Sequence, residues 1–160
     1  MRMNRRGLLW SGAALTTMVL GGALGGALAV TSASAAGGGY WTPQVGDPDR
    51  KAILNALRPV VEQATGGPVL FVVDILRTDG TWAYAQGTPQ RPGGQPINWM
   101  ATPLAQQWQS GMMSDVVMGL MVRSQGRWLL VEHVIGPTDV AWIGWAQQHG
   151  LPHALFGAGN

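Results

Sequence analysis

Residues 47–156 predict an α+β domain. Its parts are an N-terminal helix packed on a curved antiparallel sheet of about four strands (two hairpins), a short helix between the hairpins, and a C-terminal helix. Three observations carry the prediction. One stretch of apolar residues recurs at helical spacing, two stretches of strand-forming residues each fold back at a glycine turn, and Gly/Pro clusters separate these runs.

Asp47-Pro48 opens the first helix, because Asp caps helix N-termini and Pro suits the first helical position. Ile53, Leu54, Leu57, Val60, Val61 and Ala64 form one face of it. Pro59 lies inside the pattern and predicts a kink near Asn55 to Arg58; Gly66-Gly67-Pro68 is the stop. Val69 to Arg77 is apolar and β-branched, and Thr78-Asp79-Gly80 is a turn. From Thr81 to Gly87, Trp82, Tyr84 and Gln86 alternate with Ala83, Ala85 and Gly87. The small set lets a helix approach one face of the sheet, and the bulky set lines the other.

Residues 88–98 read as a Pro/Gly loop, and Thr102-Pro103 opens a short helix through Trp108. A second hairpin runs from Asp115 to Arg123, turns at Ser124-Gln125-Gly126 and returns from Arg127 to Ile135. Gly119 stands mid-strand among methionines, where a glycine can mark a bulge and methionine fills a core adaptably. Gly136-Pro137-Thr138-Asp139 breaks the strand and caps a helix holding Trp142 and Trp145, which Gly150-Leu151-Pro152 ends.

The residues before this domain predict export. Arg2, Arg5 and Arg6 make a positive start, Leu8 to Val30 carries no charge over 23 residues, and Ala33-Ser34-Ala35 offers small residues for cleavage. Residues 1–35 are thus expected to be a signal peptide cut near Ala35, leaving a periplasmic or secreted bacterial protein. Its membrane contact would come only through the signal during export. Asn4-Arg5-Arg6-Gly7-Leu8-Leu9 resembles the twin-arginine motif, with Asn4 where Ser or Thr is usual. An uncleaved anchor is the rival reading, since about 20 residues span a bilayer. The run is rich in Gly, Ala, Thr and Ser, which insert weakly. Residues 36–46 are a Gly-rich lead expected to be flexible.

Without its signal the chain carries seven positive and eight negative side chains, net −1, so the basic balance of the full sequence resides in the signal. No basic patch remains to suggest a nucleic acid. Cysteine is absent, which removes disulfides, thiolate metal sites and a cysteine nucleophile. No ligand set for a cofactor or metal is evident.

The strings DRKAILNALRPVVE, GTPQRPGG and IGPTDVAWIGWAQQHGLPHALF resemble a group of small exported bacterial proteins of uncharacterised function. The likeness spans about residues 47–156. It implies a shared architecture and supplies no catalytic residue. The order of helix and curved sheet is also similar to cystatin-like and nuclear-transport-factor-like folds, a likeness of fold that says little about function.

His149 and His153 stand four apart, but Gly150 and Pro152 break the helix that a metal pair needs. Glu132 and His133 are adjacent on a strand and point to opposite faces. His133 could instead meet Asp74, because both lie within strands among apolar residues, and such a pair would serve as acid and base. No serine has a nucleophile-elbow context.

Residues 36–160 hold seven tryptophans, of which Trp41 and Trp99 are least explained by packing. Arg91 could stack on an aromatic ring. Arg91, Trp99, Trp82 and Tyr84 are therefore candidates for binding a ligand or partner, with the 88–99 loop rimming a groove. The favoured expectation is a non-enzymatic binding module for a periplasmic protein or a small apolar ligand held in the sheet. The alternative is a small enzyme using a sheet cavity with His133 and Asp74.

Overall fold

A computed structural model describes residues 39–158, and the expected signal peptide at 1–35 lies outside them. Helix α1 spans Pro48–Thr65, strands β1 and β2 span Leu70–Thr78 and Trp82–Gln90, helix α2 spans Ala105–Gln109, strands β3 and β4 span Val117–Ser124 and Arg127–Ile135, and helix α3 spans Trp142–His149. Single 3-10 turns occupy Trp99–Ala101 and His153–Phe156. The strands form one antiparallel sheet in the order β1-β2-β3-β4. This is the expected α+β class.

The first helix begins where its sequence demands. The Asp47 side chain accepts the Asp49 N–H at 2.8 Å, Pro48 occupies the first turn, and Gly66 ends the helix in the left-handed conformation. The helix runs unbroken through Pro59. Ile53, Leu57, Val61 and Thr65 recur every four residues and are buried. They settle on a floor of small residues. Ala83, Ala85 and Gly119 face the helix, and a Cβ at Gly119 would lie 2.9 Å from Leu57 Cδ1. Gly119 is therefore a place of close approach, and it keeps its regular pairing with Ala85 and His133.

The opposite face of the sheet carries Tyr84, Met118 and Leu120, packed against Ala146, Leu155 and Phe156 from the C-terminal elements. Tyr84 and Phe156 meet at 5.0 Å between ring centroids, and Trp142 stacks on Phe156 at 5.2 Å. The 3-10 turn at His153–Phe156 had no periodic signal in the sequence, yet it supplies the plug of this face. The expected concavity for an apolar ligand is thus filled by the chain itself.

Three other expectations change. The lead is ordered from Trp41, whose backbone exchanges two 3.0 Å hydrogen bonds with Thr78 at the outer edge of β1. β2 extends through Pro89 to Gln90. Its pairing with β3 ends at Gly87, so Pro89 lies where β2 is locally an edge and a missing N–H is tolerated. The register shifts fall at Val73/Ile75 in β1, leaving Asp74 bulged, and opposite Leu120/Met121 in β4, leaving Val131 bulged.

Candidate functional site

The strand order decides the fate of the acid–base pair. Asp74 sits on β1 and His133 on β4, the two outermost strands, with β2 and β3 between them. Both side chains are exposed. Neighbouring strands lie about 4.8 Å apart, so roughly 14 Å separates the two backbones and the pair does not form.

The binding candidates also part company. Trp99 is buried in the core beside α1 and stacks on Trp108 at 5.8 Å. Tyr84 is fully buried, its hydroxyl donating to Gln86 Oε1 at 2.8 Å, and burial pushes its pKa far above the ordinary 10.0. The Arg91 guanidinium donates to Thr65 O at 2.6 Å and Pro68 O at 3.1 Å. It closes the C-terminal end of α1, where free carbonyls favour a cation. Tyr84, Trp99 and the Arg91 guanidinium are thus engaged within the fold; residues 88–90 of the expected loop belong to β2, and residues 92–96 are exposed. Of the four, Trp82 and Arg91 remain partly accessible, and the Arg91 guanidinium is committed to the end of α1.

Beside Trp82 lies a cluster that spans three elements. Glu132 on β4 points to the C-terminal face, while its neighbour His133 points to the α1 face. Glu132 Oε1 lies 3.0 Å from His149 Nε2 and accepts from Gln148 Nε2 at 3.0 Å. The His149 ring stands 5.3 Å from the Trp82 ring. A carboxylate holding an imidazole can orient a base. No Ser, Thr or Tyr hydroxyl among the described residues is hydrogen-bonded to that imidazole; Ser114, for example, donates to Pro137 O at 2.6 Å. The contact clamps α3 onto the sheet. Among the described residues no group of three or more His, Asp and Glu could hold a metal ion, and no helix is long and apolar enough to cross a membrane.

A second place is open. A cleft of about 290 Å³ runs along the outer edge of β1, lined by Thr42, Arg50, Val73 to Arg77 and Gly157. Its floor is strand backbone. Thr78 points its N–H and C=O outward to Trp41, so by the alternation of an antiparallel strand Leu76 also points its N–H and C=O outward. The residue that would pair with Leu76 is Pro43, two beyond Trp41. Pro43 has no N–H and the chain turns from there into α1.

Two arginines flank this stretch. Arg50 donates to Pro43 O at 3.1 Å and Arg77 to Ala154 O at 2.9 Å. The ion pairs among the described residues are Arg123–Asp49 and His149–Glu132, so neither flanking arginine has a carboxylate partner. In sequence Arg50, Arg77, Thr42 and Gly157 carry no motif or shared spacing. Only the order of the sheet edge assembles them. The one local signal was Thr42-Pro43, which marks the end of an extended segment.

No protein-family model matches the chain, and no curated protein or solved structure matches it.

Proposed function

We propose that the protein is exported and works outside the cytoplasm as a non-enzymatic binding module that engages a protein partner at its surface. The observation that carries this reading is the contrast between the faces and the edge of the sheet. One face is filled by α1 and the other by Leu155 and Phe156, whereas the outer edge of β1 offers an unpaired backbone in a cleft. A buried apolar ligand would have to displace Phe156. A partner protein displaces only water.

The tests use the protein in its own cell envelope. Native mass spectrometry should give a chain beginning just after Ala35; the mass of the full chain would support the anchor reading instead. A photo-crosslinking residue placed singly at Leu70, Asp74, Arg127, Leu129 or His133 should, from at least one position, form a discrete protein adduct in intact cells. Absence of an adduct from every position, together with a small molecule retained in the native mass, would overturn the reading in favour of a captured ligand.

A further inference from the structure

We infer that the β1-edge cleft is a seat for the C-terminal end of an extended partner chain, which lies parallel to β1 with its terminal carboxylate between Arg50 and Arg77. The inference rests on the binding-module reading above and names the partner's chemistry.

The argument starts from an edge the chain already uses. Trp41 adds one residue of strand to Thr78, and Pro43 stops it from continuing along β1. What remains between Pro43 and the Asp74 bulge is short: the outward N–H and C=O of Leu76 with one residue on either side. A long, continuous strand is excluded, because the bulge interrupts the ladder and turns the edge away. The cleft is also closed at one end, where Thr42 and Pro43 occupy the line an added strand would follow. An added segment must therefore end there.

Charge decides which end of the segment it is. The closed end carries Arg50, tied to Pro43 O, and Arg77, tied to Ala154 O. Each guanidinium has further N–H groups beyond that single backbone bond, and neither has an ion-pair partner. Two guanidinium groups at a dead end suit a carboxylate and reject an α-ammonium group. The segment's C-terminus then lies toward Thr78, which makes the added strand parallel to β1. Leu76 supplies main-chain hydrogen bonds behind the carboxylate. Asp74, exposed on the bulge farther from the closed end, faces the residues that precede the terminus and disfavours acidic side chains there.

The experiment measures binding of dye-labelled hexapeptides to the purified exported protein. Each peptide carries a neutral β-branched sequence and ends either in a free carboxylate or in an amide. The free acid should bind about tenfold or more tightly than the amide. Because this comparison leaves the protein untouched, it does not depend on any variant folding. Arg50→Gln and Arg77→Gln should each lower the affinity of the acid about tenfold and leave that of the amide unchanged. Asp74→Asn should strengthen binding of a peptide with Glu before its last residue. Equal binding of acid and amide would overturn the inference, as would affinity that survives both arginine changes together. A variant lacking residues 159 and 160 that binds the acid far more tightly would put the chain's own end in the cleft and overturn a foreign partner there. Crosslinks in the cell from Leu129 or Arg127 but never from Asp74 would remove this seat while leaving the binding-module reading standing.

Discussion

Gly87 is the residue on which the shape of the β1 edge depends. A Cβ built there would lie 2.2 Å from Val72 O and 3.1 Å from both Val72 C and Val73 Cα. The register shift between Val73 and Ile75 carries β1 backbone across the space that a side chain at 87 would fill. Gly87→Ala therefore collides with main chain, which cannot rotate away as a side chain can. Gly119→Ala meets Leu57 Cδ1 at 2.9 Å and Met121 Sδ at 3.3 Å, both ends of flexible side chains. Neither glycine has a positive φ, so alanine loses nothing in backbone conformation and gains about 0.4–1 kcal/mol through the unfolded chain. Overpacking at Gly119 costs about 1–3 kcal/mol, for a net loss of about 0–2.6 kcal/mol. Gly87→Ala requires the bulge to move and should cost more than about 3 kcal/mol. Urea unfolding followed by tryptophan fluorescence measures both. At this chain length the Gly87 change should lower Tm by more than about 10 °C. Leu57→Ala combined with Gly119→Ala should cost less than the sum of the two single changes, because the methyl then enters the space that Leu57 vacates. Equal costs at the two glycines would refute the reasoning, and so would a Gly87→Ala protein as stable as the parent.

Two further outcomes follow from the site description. Arg91→Ala should cost about 1–2 kcal/mol by freeing the Thr65 and Pro68 carbonyls, and Trp99→Ala about 3–5 kcal/mol by emptying core, with peptide binding unchanged wherever the protein stays folded; a specific loss of binding at either would return the 88–99 loop to the site. Alkaline titration reads the covered face of the sheet. Burial raises Tyr84 strongly above 10.0, and burial followed by the Asp79 charge raises Tyr40. Above pH 10 the unfolded chain gives up the Tyr84 proton while the folded chain keeps it, so this stabilisation is fully present below that pH and falls as pH rises, by about 1.4 kcal/mol per pH unit. The Tyr84 phenolate absorbance should therefore appear with unfolding. Ionisation of both tyrosines in the folded protein would mean that the Tyr84 phenol lies open to water.

The sequence by itself determined the elements that rest on local chemistry. Asp47-Pro48, Gly66 and Gly150 set helix ends through capping and backbone conformation, which only neighbouring residues govern. The Ala83/Ala85/Gly87 alternation against Trp82/Tyr84/Gln86 assigned two faces to β2, since strand side chains point alternately to either side. With two hairpins, that was enough for the α+β class.

The tertiary structure alone decided which residues meet. Strand order carried Asp74 and His133 to opposite edges, a separation that no pattern within either strand records. It brought His149, weighed in the sequence only against His153, to Glu132. It turned Trp99, Tyr84 and Arg91 into core and cap, because burial depends on what arrives from elsewhere in the chain. The open β1 edge was hidden for the same reason. Arg50, Arg77, Pro43 and Leu76 become neighbours only when the lead, the first helix and the strand converge, and contacts between distant residues are set by the packing of whole elements rather than by local propensity.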